Sequence, residues 1–275
     1  MALAVAEVER ALTANRRCLF LSPHLDDAVL SCGALLTALA DRCSVTVVTI
    51  FTEASAPPHT RAAASYLRLC NMTSAEDLYV ERRREDGQVL AALGVEPVNL
   101  GFCDALFRRR TGGPASSLVG RAVPELAHRY PTYRFDIAKG RVSRGDRPLT
   151  EQIATRLRHV VSRAAPELVF CPLGVGQHVD HLIVREIATR RLSRVIYYSE
   201  FPYVMTSDWE TGFRRRRALE PWAFARSLQA KRSLIAAYRT QMRGLFPGGT
   251  IPLVPEVYYG EAGNAGRETP GDLVD

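Results

Sequence analysis

The chain has 275 residues, of which 47% are hydrophobic, 24% charged and 8% aromatic, and this composition excludes a disordered or a fibrous protein. Lysine and arginine outnumber aspartate and glutamate by 36 to 29, which gives a net charge of +7 and is compatible with an anionic partner. No recognisable nucleic-acid-binding module accompanies this charge, so we expect no nucleic acid partner.

Neither a membrane span nor a signal peptide is recognisable in the sequence. No segment has the roughly 20 consecutive apolar residues that span a bilayer. The apolar start of the chain is interrupted by Glu7, Glu9 and Arg10, unlike a signal peptide. The six cysteines are scattered without a Cys-x-x-Cys pair, as is typical of reduced thiols. We therefore predict a cytoplasmic location.

Strands and helices alternate in the first fifty residues. Residues 18–22 are an apolar run that predicts a short buried strand, and small and apolar residues at helical spacing over 28–40 predict a helix. Asp27 is placed to cap that helix. The β-branched run at 44–51 predicts a second strand that is covered on both faces. This order indicates a right-handed parallel crossover.

The same alternation continues along the chain and predicts a three-layer α/β fold with a mostly parallel central sheet. The stretch 101–148 differs, because it is polar, rich in arginine and glycine and weakly periodic. We predict that it is an irregular insertion near a site, with short elements of its own near 130–137. The whole chain, 1–275, is predicted to form one domain. Further helices are predicted at 61–69, 74–93, 150–164 (capped by Thr150), 181–191 and 226–243, and further strands at 95–100, 168–171 and 194–198.

Residue types that bind metals follow two of the predicted strands. Pro23-His24-Leu25-Asp26-Asp27 follows the first strand, and Gly174-Val175-Gly176-Gln177-His178-Val179-Asp180-His181 follows the strand at 168–171. Sites in open parallel sheets form at the carboxyl ends of strands. A catalytic zinc ion needs three histidine or carboxylate ligands and an open position for water, with a general base beside it. The two motifs contain the residues for such a site.

The spacing within each motif supports the same interpretation. His24 and Asp27 are three positions apart at a strand-to-helix junction, and His178 and His181 have the same separation at another junction, so each pair can face one point. Either motif alone has an ordinary explanation, as helix caps or as solvent-facing residues. Two such motifs at two strand ends are much harder to explain in that way, which favours a metal site.

The two motifs together resemble the paired signature of the PIG-L/LmbE-like deacetylases. These are zinc-dependent enzymes that remove acyl groups from N-acetylglucosamine-type sugars and related amides. The sequence departs from the commoner His-Pro-Asp-Asp-Glu form of the first motif at Leu25 and Ala28, and a substrate contact at the latter position is not expected. The resemblance extends over about residues 18–242 and includes Arg82-x-x-Glu85, Gly101-Phe102-Cys103-Asp104 and Tyr238.

By position, the resemblance implies roles for five residues around one zinc ion, or around another divalent ion such as Fe2+. His24, Asp27 and His181 would bind the ion. Asp26 would be the general base that accepts a proton from water and returns it to the amide nitrogen. His178 would steady the oxyanion as a cation, or protonate the leaving amine.

Four further residues are candidates for contacts around the ion and the substrate. The resemblance places Arg82 and Asp104 where relatives hold sugar hydroxyls. Asp180 could orient a neighbouring histidine. Glu200, which follows the strand at 194–198, is a candidate for a contact with a further substrate hydroxyl.

Three arginine runs stand out in the sequence, at residues 82–84, 108–110 and 214–217. Such runs are most often solvated faces. The run at 108–110 is the exception, because it lies in the predicted insertion and could contact an acidic or bulky ligand near the site.

The predicted function is that of a zinc-dependent N-deacetylase with a Rossmann-like α/β fold. Its small-molecule partner would be an N-acylated amino sugar or a glycoconjugate that carries one. Only Lys139 and Lys231 are lysines among the 36 basic residues, which suggests a GC-rich genome, where such enzymes often serve natural-product pathways. Two alternatives remain open: an amidase that acts on a non-sugar amide or thiol conjugate, and a catalytically silent glycan-binding protein. The sequence leaves the oligomeric state open.

Overall fold

The computed structural model describes residues 3–110, 120, 122–138, 141–206 and 211–261. The strands are β1 (Arg17–Ser22), β2 (Ser44–Glu53), β3 (Glu96–Cys103), β4 (Leu168–Pro172), β5 (Val195–Tyr198), β6 (Leu219–Phe224) and β7 (Glu256–Glu261). The helices are α1 (Leu3–Thr13), α2 (Asp27–Ala40), α3 (Arg61–Leu69), α4 (Ala75–Ala92), α5 (Pro124–Ala127), α6 (Arg147–Ala164), α7 (Val179–Arg191), α8 (Thr211–Arg216), α9 (Leu228–Ala236) and α10 (Arg239–Leu245). None of these helices is both long and apolar enough to cross a membrane.

The strands form a single sheet in the order β3-β2-β1-β4-β5-β7-β6. The neighbours from β3 to β5 are parallel, whereas β7 is antiparallel to both β5 and β6. The chain proceeds from β1 outwards through β2 to β3, and then returns to place β4 on the other side of β1. Phe20 of β1 pairs with Phe170 of β4, so these two strands run side by side. Ligand sites of open α/β sheets form in the crevice at the carboxyl ends of such strands.

Helices cover both faces of the sheet. Along β1, the side chain of Phe20 belongs to a core shared with α1, α2 and α4, whereas Leu19 and Leu21 belong to a second core shared with α6 and α7. Successive residues of a strand point to opposite faces, so the two cores lie on opposite sides of the sheet. Burial on both faces explains the continuous apolar sequences of the central strands. The predicted three-layer α/β fold is confirmed.

Most predicted elements are present within a few residues of their expected bounds, but two predicted helix caps are wrong. Asp27 lies inside α2, and Ser22 Oγ, rather than the Asp27 side chain, accepts the hydrogen bond from the Ala28 amide (3.0 Å). The helix predicted to begin at Thr150 begins one turn earlier, at Arg147, because it has a proline in its first turn, where proline is favoured.

The end of the chain differs most from the prediction. The helix predicted over 226–243 is divided at Tyr238 into α9 and α10. At the break, the Tyr238 hydroxyl donates to the buried Asp86 carboxylate of α4 (2.7 Å). The sequence pattern also fails to predict α1, β6 and β7. β6 contains Pro221, which argues against a strand, but β6 lies at the edge of the sheet, where proline is tolerated.

The predicted insertion at 101–148 packs against the rest of the protein where the structure describes it. β3 continues into it as far as Cys103. The buried side chains of Tyr130 and Ile137 share a core with Leu25, a residue of the first motif. The insertion therefore lies beside that motif, and the short elements predicted near 130–137 are present. Its described elements are the helical turns Pro124–Ala127, Tyr133–Ile137 and Arg144–Asp146.

Candidate active site

A tight turn after β1 places His24, Asp26 and Asp27 at the crevice. Ser22 Oγ, at the end of the strand, donates to the His24 carbonyl (2.6 Å) and accepts from the Ala28 amide (3.0 Å). One hydroxyl group therefore holds both ends of the turn. The side chains of His24, Asp26 and Asp27 are all buried, so their polar atoms must find partners inside the protein.

The loop after β4 brings the second motif to the same place. Gly174 has φ +92°, and a Cβ atom on it would lie 2.8 Å from Leu182 Cδ2, so only glycine fits there. His178 precedes the first turn of α7, where its Nδ1 atom accepts a hydrogen bond from the Asp180 amide (3.3 Å). His181 lies within the first turn of α7 and is buried. The loop thus directs this motif toward the residues that follow β1.

The carboxylate of Asp27 joins the two motifs. Its Oδ2 atom lies 3.1 Å from His24 Nδ1 and 3.2 Å from His181 Nε2. Two ligand atoms of a tetrahedral zinc ion, each at about 2.0–2.1 Å from the ion, lie roughly 3.4 Å apart, so each of these two separations fits a pair of ligands of one ion. The structure therefore brings together the three residues that are predicted to bind metal, although they come from distant parts of the sequence.

A buried carboxylate lies behind each of the two histidines. His24 Nε2 is 3.2 Å from Asp180 Oδ2, and His181 Nδ1 is 3.1 Å from Glu200 Oε1. Both Asp180 and Glu200 are fully buried. Histidines that bind metals usually donate their other ring N–H to such a carboxylate, which fixes the orientation of the ring. Asp180 therefore lies where it can fix the orientation of the His24 ring.

Glu200 has an equivalent position, and its observed partners are protein groups rather than the cavity in which a substrate contact is predicted. Its Oε1 atom also accepts from the Gly174 amide (2.7 Å), and its Oε2 atom accepts from the Val175 amide (3.0 Å). Glu200 therefore orients His181 and holds the loop after β4. The sequence carries no signal for this role, because the burial of one acidic residue after a strand cannot be inferred from its neighbours.

The surroundings of the two histidines carry an excess of negative charge. Burial opposes the protonation of His24, but the nearby carboxylates, above all that of Asp104, outweigh it and hold the pKa of His24 well above its usual value. Burial likewise opposes the protonation of His181, but Asp27 and Glu200 raise its pKa to about 9. These surroundings favour additional positive charge, which a divalent cation would supply. The buried charged side chains around this point are Asp26, Asp27, Asp104, Asp180, Glu200, Arg82 and Arg108.

Other donor atoms of the site also lie close together. One nitrogen atom from each of His24, His178 and His181 lies within 4.8 Å of the other two. The same separation holds for one donor atom from each of His24, Asp104 and Asp180. Nitrogen and oxygen donors of these types suit zinc and other divalent transition metals. The described residues therefore fit a divalent ion, and His178 is a possible ligand in place of Asp27.

The site opens into a cavity of 440 Å³, a size that suits a small-molecule ligand. Tyr133 of the insertion lies across this cavity, with its ring centroid 6.2 Å from that of His178. Of the described residues of the insertion, Asp104, Leu106 and Tyr133 line the cavity. The floor of the cavity is defined here as its buried charged residues, His24, Asp26, Asp27, Arg82 and Asp104.

Asp26 and His178, the two predicted catalytic residues, both line this cavity. Burial raises the pKa of Asp26 to about 6, although the guanidinium group of Arg82, 3.3 Å from Asp26 Oδ2, opposes the shift. Burial, together with the nearby His24 and His181, lowers the pKa of His178 to about 3. Because His178 Nδ1 accepts an amide hydrogen bond, its ring proton is on Nε2. The structure therefore favours a neutral His178 that donates a hydrogen bond, rather than the predicted cation.

Arg82 and Asp104 lie on the floor with polar atoms still available. The Leu106 amide (2.8 Å) and the Tyr79 hydroxyl (2.6 Å) donate to the two carboxylate oxygens of Asp104, and each oxygen can accept a second hydrogen bond. Arg82 Nε is buried and has no hydrogen-bond partner among the described residues. Both side chains line the cavity and have unused hydrogen-bonding capacity, and their predicted contacts with sugar hydroxyls stay a prediction.

Arg108 belongs to the arginine run for which a contact with an acidic or bulky ligand is predicted, but its contacts are internal. It is buried and is not among the described residues that line the cavity. Its Nη2 atom donates to Asp180 Oδ1 and its Nη1 atom donates to Asp146 Oδ2 (2.8 Å). Arg108 thus connects the insertion to the carboxylate that orients His24. No sequence signal distinguishes it from the two arginines that follow it.

Ligands contributed by two strand ends, with an acid beside them, are typical of metal-dependent hydrolases. The family model described as PIG-L, GlcNAc-PI de-N-acetylase, matches residues 19–192. The chain belongs to the PIG-L family, and the resemblance recognised from the sequence motifs is confirmed.

Two similar proteins are named 2'-N-acetylparomamine deacetylase. The one from Streptomyces fradiae is 28% identical over 215 residues, which cover 75% of this chain and 66% of that protein. The one from Niallia circulans is 26% identical over 258 residues, which cover 84% of this chain and 83% of that protein. The chain therefore spans just under two thirds of the length of the Streptomyces protein.

Solved structures of deacetylases have the same fold. The zinc-inhibited form of teicoplanin deacetylase Orf2 matches with a TM-score of 0.66 and 22% identity, over 88% of this chain and 97% of that chain. The A40926 pseudoaglycone deacetylase Dbv21 matches with a TM-score of 0.60 and 23% identity, over 89% of this chain and 96% of that chain. These similarities support the α/β architecture described above.

Proposed function

We propose that the protein is a metal-dependent N-deacetylase that hydrolyses the acetamido group of an amino sugar, free or within a conjugate. The observation that carries the proposal is the position of Asp27 Oδ2, which lies within 3.2 Å of a nitrogen atom of both His24 and His181. The Asp26 carboxylate lines the same cavity. The relatives named as 2'-N-acetylparomamine deacetylases support an acetylated amino sugar from a natural-product pathway as the substrate.

We propose one zinc ion as the cofactor, with His24 Nδ1, Asp27 Oδ2 and His181 Nε2 as its ligands. Imidazole and carboxylate ligands suit zinc, and Fe2+ is accommodated by the same types. When bound, such an ion supplies a Lewis acid that polarises the amide carbonyl and lowers the pKa of water. Asp180 and Glu200 hold the two imidazole rings in the orientation that this arrangement requires.

Asp26 and His178 are proposed to carry the chemistry of amide hydrolysis. The Asp26 carboxylate accepts a proton from the attacking water and returns it to the amide nitrogen as the C–N bond breaks, which yields the free amine and acetate. Arg82 holds the Oδ2 atom of Asp26, so Oδ1 is the oxygen proposed to face the water. His178 donates its Nε2–H to the carbonyl oxygen while negative charge develops there.

The sugar is proposed to be held by the two remaining residues of the floor. Arg82 Nε donates to one sugar hydroxyl, and the Asp104 carboxylate accepts from another. Discrimination between sugars then depends on buried polar groups, which are costly to leave unpaired when a hydroxyl is missing. A cytoplasmic location, a single domain over 1–275 and the absence of a nucleic acid partner stay predictions from the sequence.

Acetate release, measured together with metal content, tests this proposal. The zinc-loaded protein is incubated with N-acetylglucosamine, with 2'-N-acetylparomamine and with non-sugar N-acyl amides of similar size. The expected result is acetate and free amine from an acetylated sugar, with about one metal ion per chain. Acetate from the non-sugar amides alone would favour the amidase alternative. Sugar binding without acetate would favour the silent glycan-binding alternative.

Replacing Glu200 by glutamine is expected to weaken zinc binding by about 10–100-fold, because the neutral amide orients His181 less strongly than the carboxylate does. Zinc affinity is measured by competition with a chelator of known affinity. Glu220→Gln, at an exposed glutamate of the edge strand β6, is the matched control and should bind zinc like the wild type. An unchanged zinc affinity combined with a raised KM for the sugar would support the substrate contact predicted from the sequence.

A further inference from the structure

The entrance of the cavity differs in chemistry from its floor. We define the mouth as Leu69, Tyr133, Tyr203, Gly244 and Leu245, all of which line the cavity. They come from four separate parts of the chain: the end of α3, the insertion, the turn after β5 and the end of α10. Apart from Gly244, which has no side chain, the mouth consists of leucine and tyrosine side chains. The lining residues that belong to neither the mouth nor the floor include the polar but uncharged Ser65, Thr240 and Gln241, so the ionisable groups are concentrated at the floor.

Two large side chains of the mouth are exposed to solvent. Leu69 is 43% exposed and Tyr133 is 44% exposed. The Leu69 side chain packs against Gly244, where an added Cβ atom would be 3.2 Å from Leu69 Cδ2. Leu69 can take this position because Gly244 has no side chain. Exposed apolar side chains that continue a ligand cavity are typical of a surface that a ligand covers.

The electrostatics of the mouth disfavour a positively charged ligand. Among the described residues that line the cavity, the carboxylates of Asp26, Asp27 and Asp104 all belong to the floor. The mouth has no carboxylate, so an ammonium group placed there would lose hydration and would have only the rings of Tyr133 and Tyr203 as partners. Three exposed arginines are sequence neighbours of mouth residues: Arg68, Arg134 and Arg243. Their positive charge would repel a cationic ligand.

We propose that the substrate is an N-acetylated amino sugar whose aglycone is apolar and carries no positive charge, and that this aglycone lies against Leu69, Tyr133 and Leu245. The inference rests on the proposed N-deacetylase function and adds the class of the aglycone to it. The acetamido group reaches the floor, where the histidines and Asp26 lie, and the sugar hydroxyls meet Arg82 and Asp104. The aglycone then remains at the mouth, where its burial removes apolar surface from water.

A series of matched glycosides tests the inference. The methyl, phenyl and 2-aminoethyl β-glycosides of N-acetylglucosamine are compared by kcat/KM for acetate release with the zinc-loaded enzyme. The phenyl glycoside is expected to exceed the methyl glycoside by about tenfold, because it alone covers the mouth. The 2-aminoethyl glycoside, which carries an ammonium group, is expected to be no better than the methyl glycoside, and 2'-N-acetylparomamine is expected to be a poor substrate.

Substitution at the mouth tests the position of the aglycone. Leu69→Glu is expected to remove the preference for the phenyl glycoside and to raise kcat/KM for the 2-aminoethyl glycoside, whereas Leu69→Gln removes only the former. Val80→Glu is the matched control, because Val80 is an exposed apolar residue of α4 that does not line the cavity, and it should keep the wild-type preference.

Two kinds of result would overturn the inference, and they are distinguishable. Equal kcat/KM for all three glycosides, or a preference for the 2-aminoethyl glycoside or for 2'-N-acetylparomamine, would contradict the apolar aglycone and leave the N-deacetylase function standing. No acetate from any N-acetylated glycoside would contradict the N-deacetylase function, and the inference with it. An unchanged phenyl preference in Leu69→Glu would place the aglycone elsewhere.

Discussion

Replacing Asp26 by asparagine is expected to lower kcat for acetate release by about 10³-fold, equivalent to about 4 kcal/mol in activation free energy. Asparagine has nearly the same shape as aspartate, and its amide oxygen can still accept the hydrogen bond that Arg82 donates. It cannot accept a proton from water, so the step assigned to a general base is lost. The measurement is the initial rate at saturating substrate, with the metal content determined on the same sample.

The matched control for this experiment is Asp41→Asn. Asp41 is exposed and follows the last turn of α2, the helix that Asp26 precedes, so this variant should have the wild-type rate. A metal-loaded Asp26→Asn enzyme that turned over at the wild-type rate would contradict the assignment of Asp26 as the base. Loss of the metal in that variant would instead place Asp26 among the ligands.

Replacing Asp27 by alanine is expected to weaken zinc binding by at least about 10³-fold, beyond the 10–100-fold typical of partners that only orient a ligand. The reason is the central position of its Oδ2 atom, which approaches both His24 and His181. Zinc affinity is measured by chelator competition. Thermal unfolding of the same variant shows whether the protein remains folded.

His178→Ala distinguishes the two possible ligand sets. If Asp27 completes the set, this variant is expected to keep its zinc and to lose about 10²-fold in kcat, because a hydrogen-bond donor to the developing oxyanion is missing. The opposite pattern, with zinc lost in His178→Ala and kept in Asp27→Ala, would assign the third ligand to His178, whose nitrogen atoms also lie close to those of the other two histidines.

The sequence predicts the site well where local patterns and topology decide it. The apolar runs of β1 and β4 identify buried parallel strands, and polar residues directly after them must lie at the carboxyl edge of the sheet. If the two strands are neighbours, the motifs meet, as Asp27 and His181 do. Family resemblance adds the expected role of each side chain, which spacing alone cannot assign.

The sequence fails where long-range contacts decide the outcome. Glu200 and Arg108 look like exposed polar residues, yet both are buried and bind groups that are far away in the chain. Tyr238 lies in a continuous helical pattern, but the helix is interrupted there, where Tyr238 contacts the distant Asp86. In each case a contact between distant residues overrides the local pattern, and a single sequence does not reveal which distant residues meet.

The junction of β1 and β4 also has a consequence for the stability of the whole protein. Asp27 and His181, two of the proposed ligands, are neighbours in space although 154 positions separate them in the chain, so an ion bound here would close a very long loop. A ligand that binds only the native state stabilises it, by about 2.7 kcal/mol when its free concentration is 100 times Kd. The melting temperature would then rise with the free concentration of the ion. A cell with little of the ion would contain less folded protein as well as less active protein.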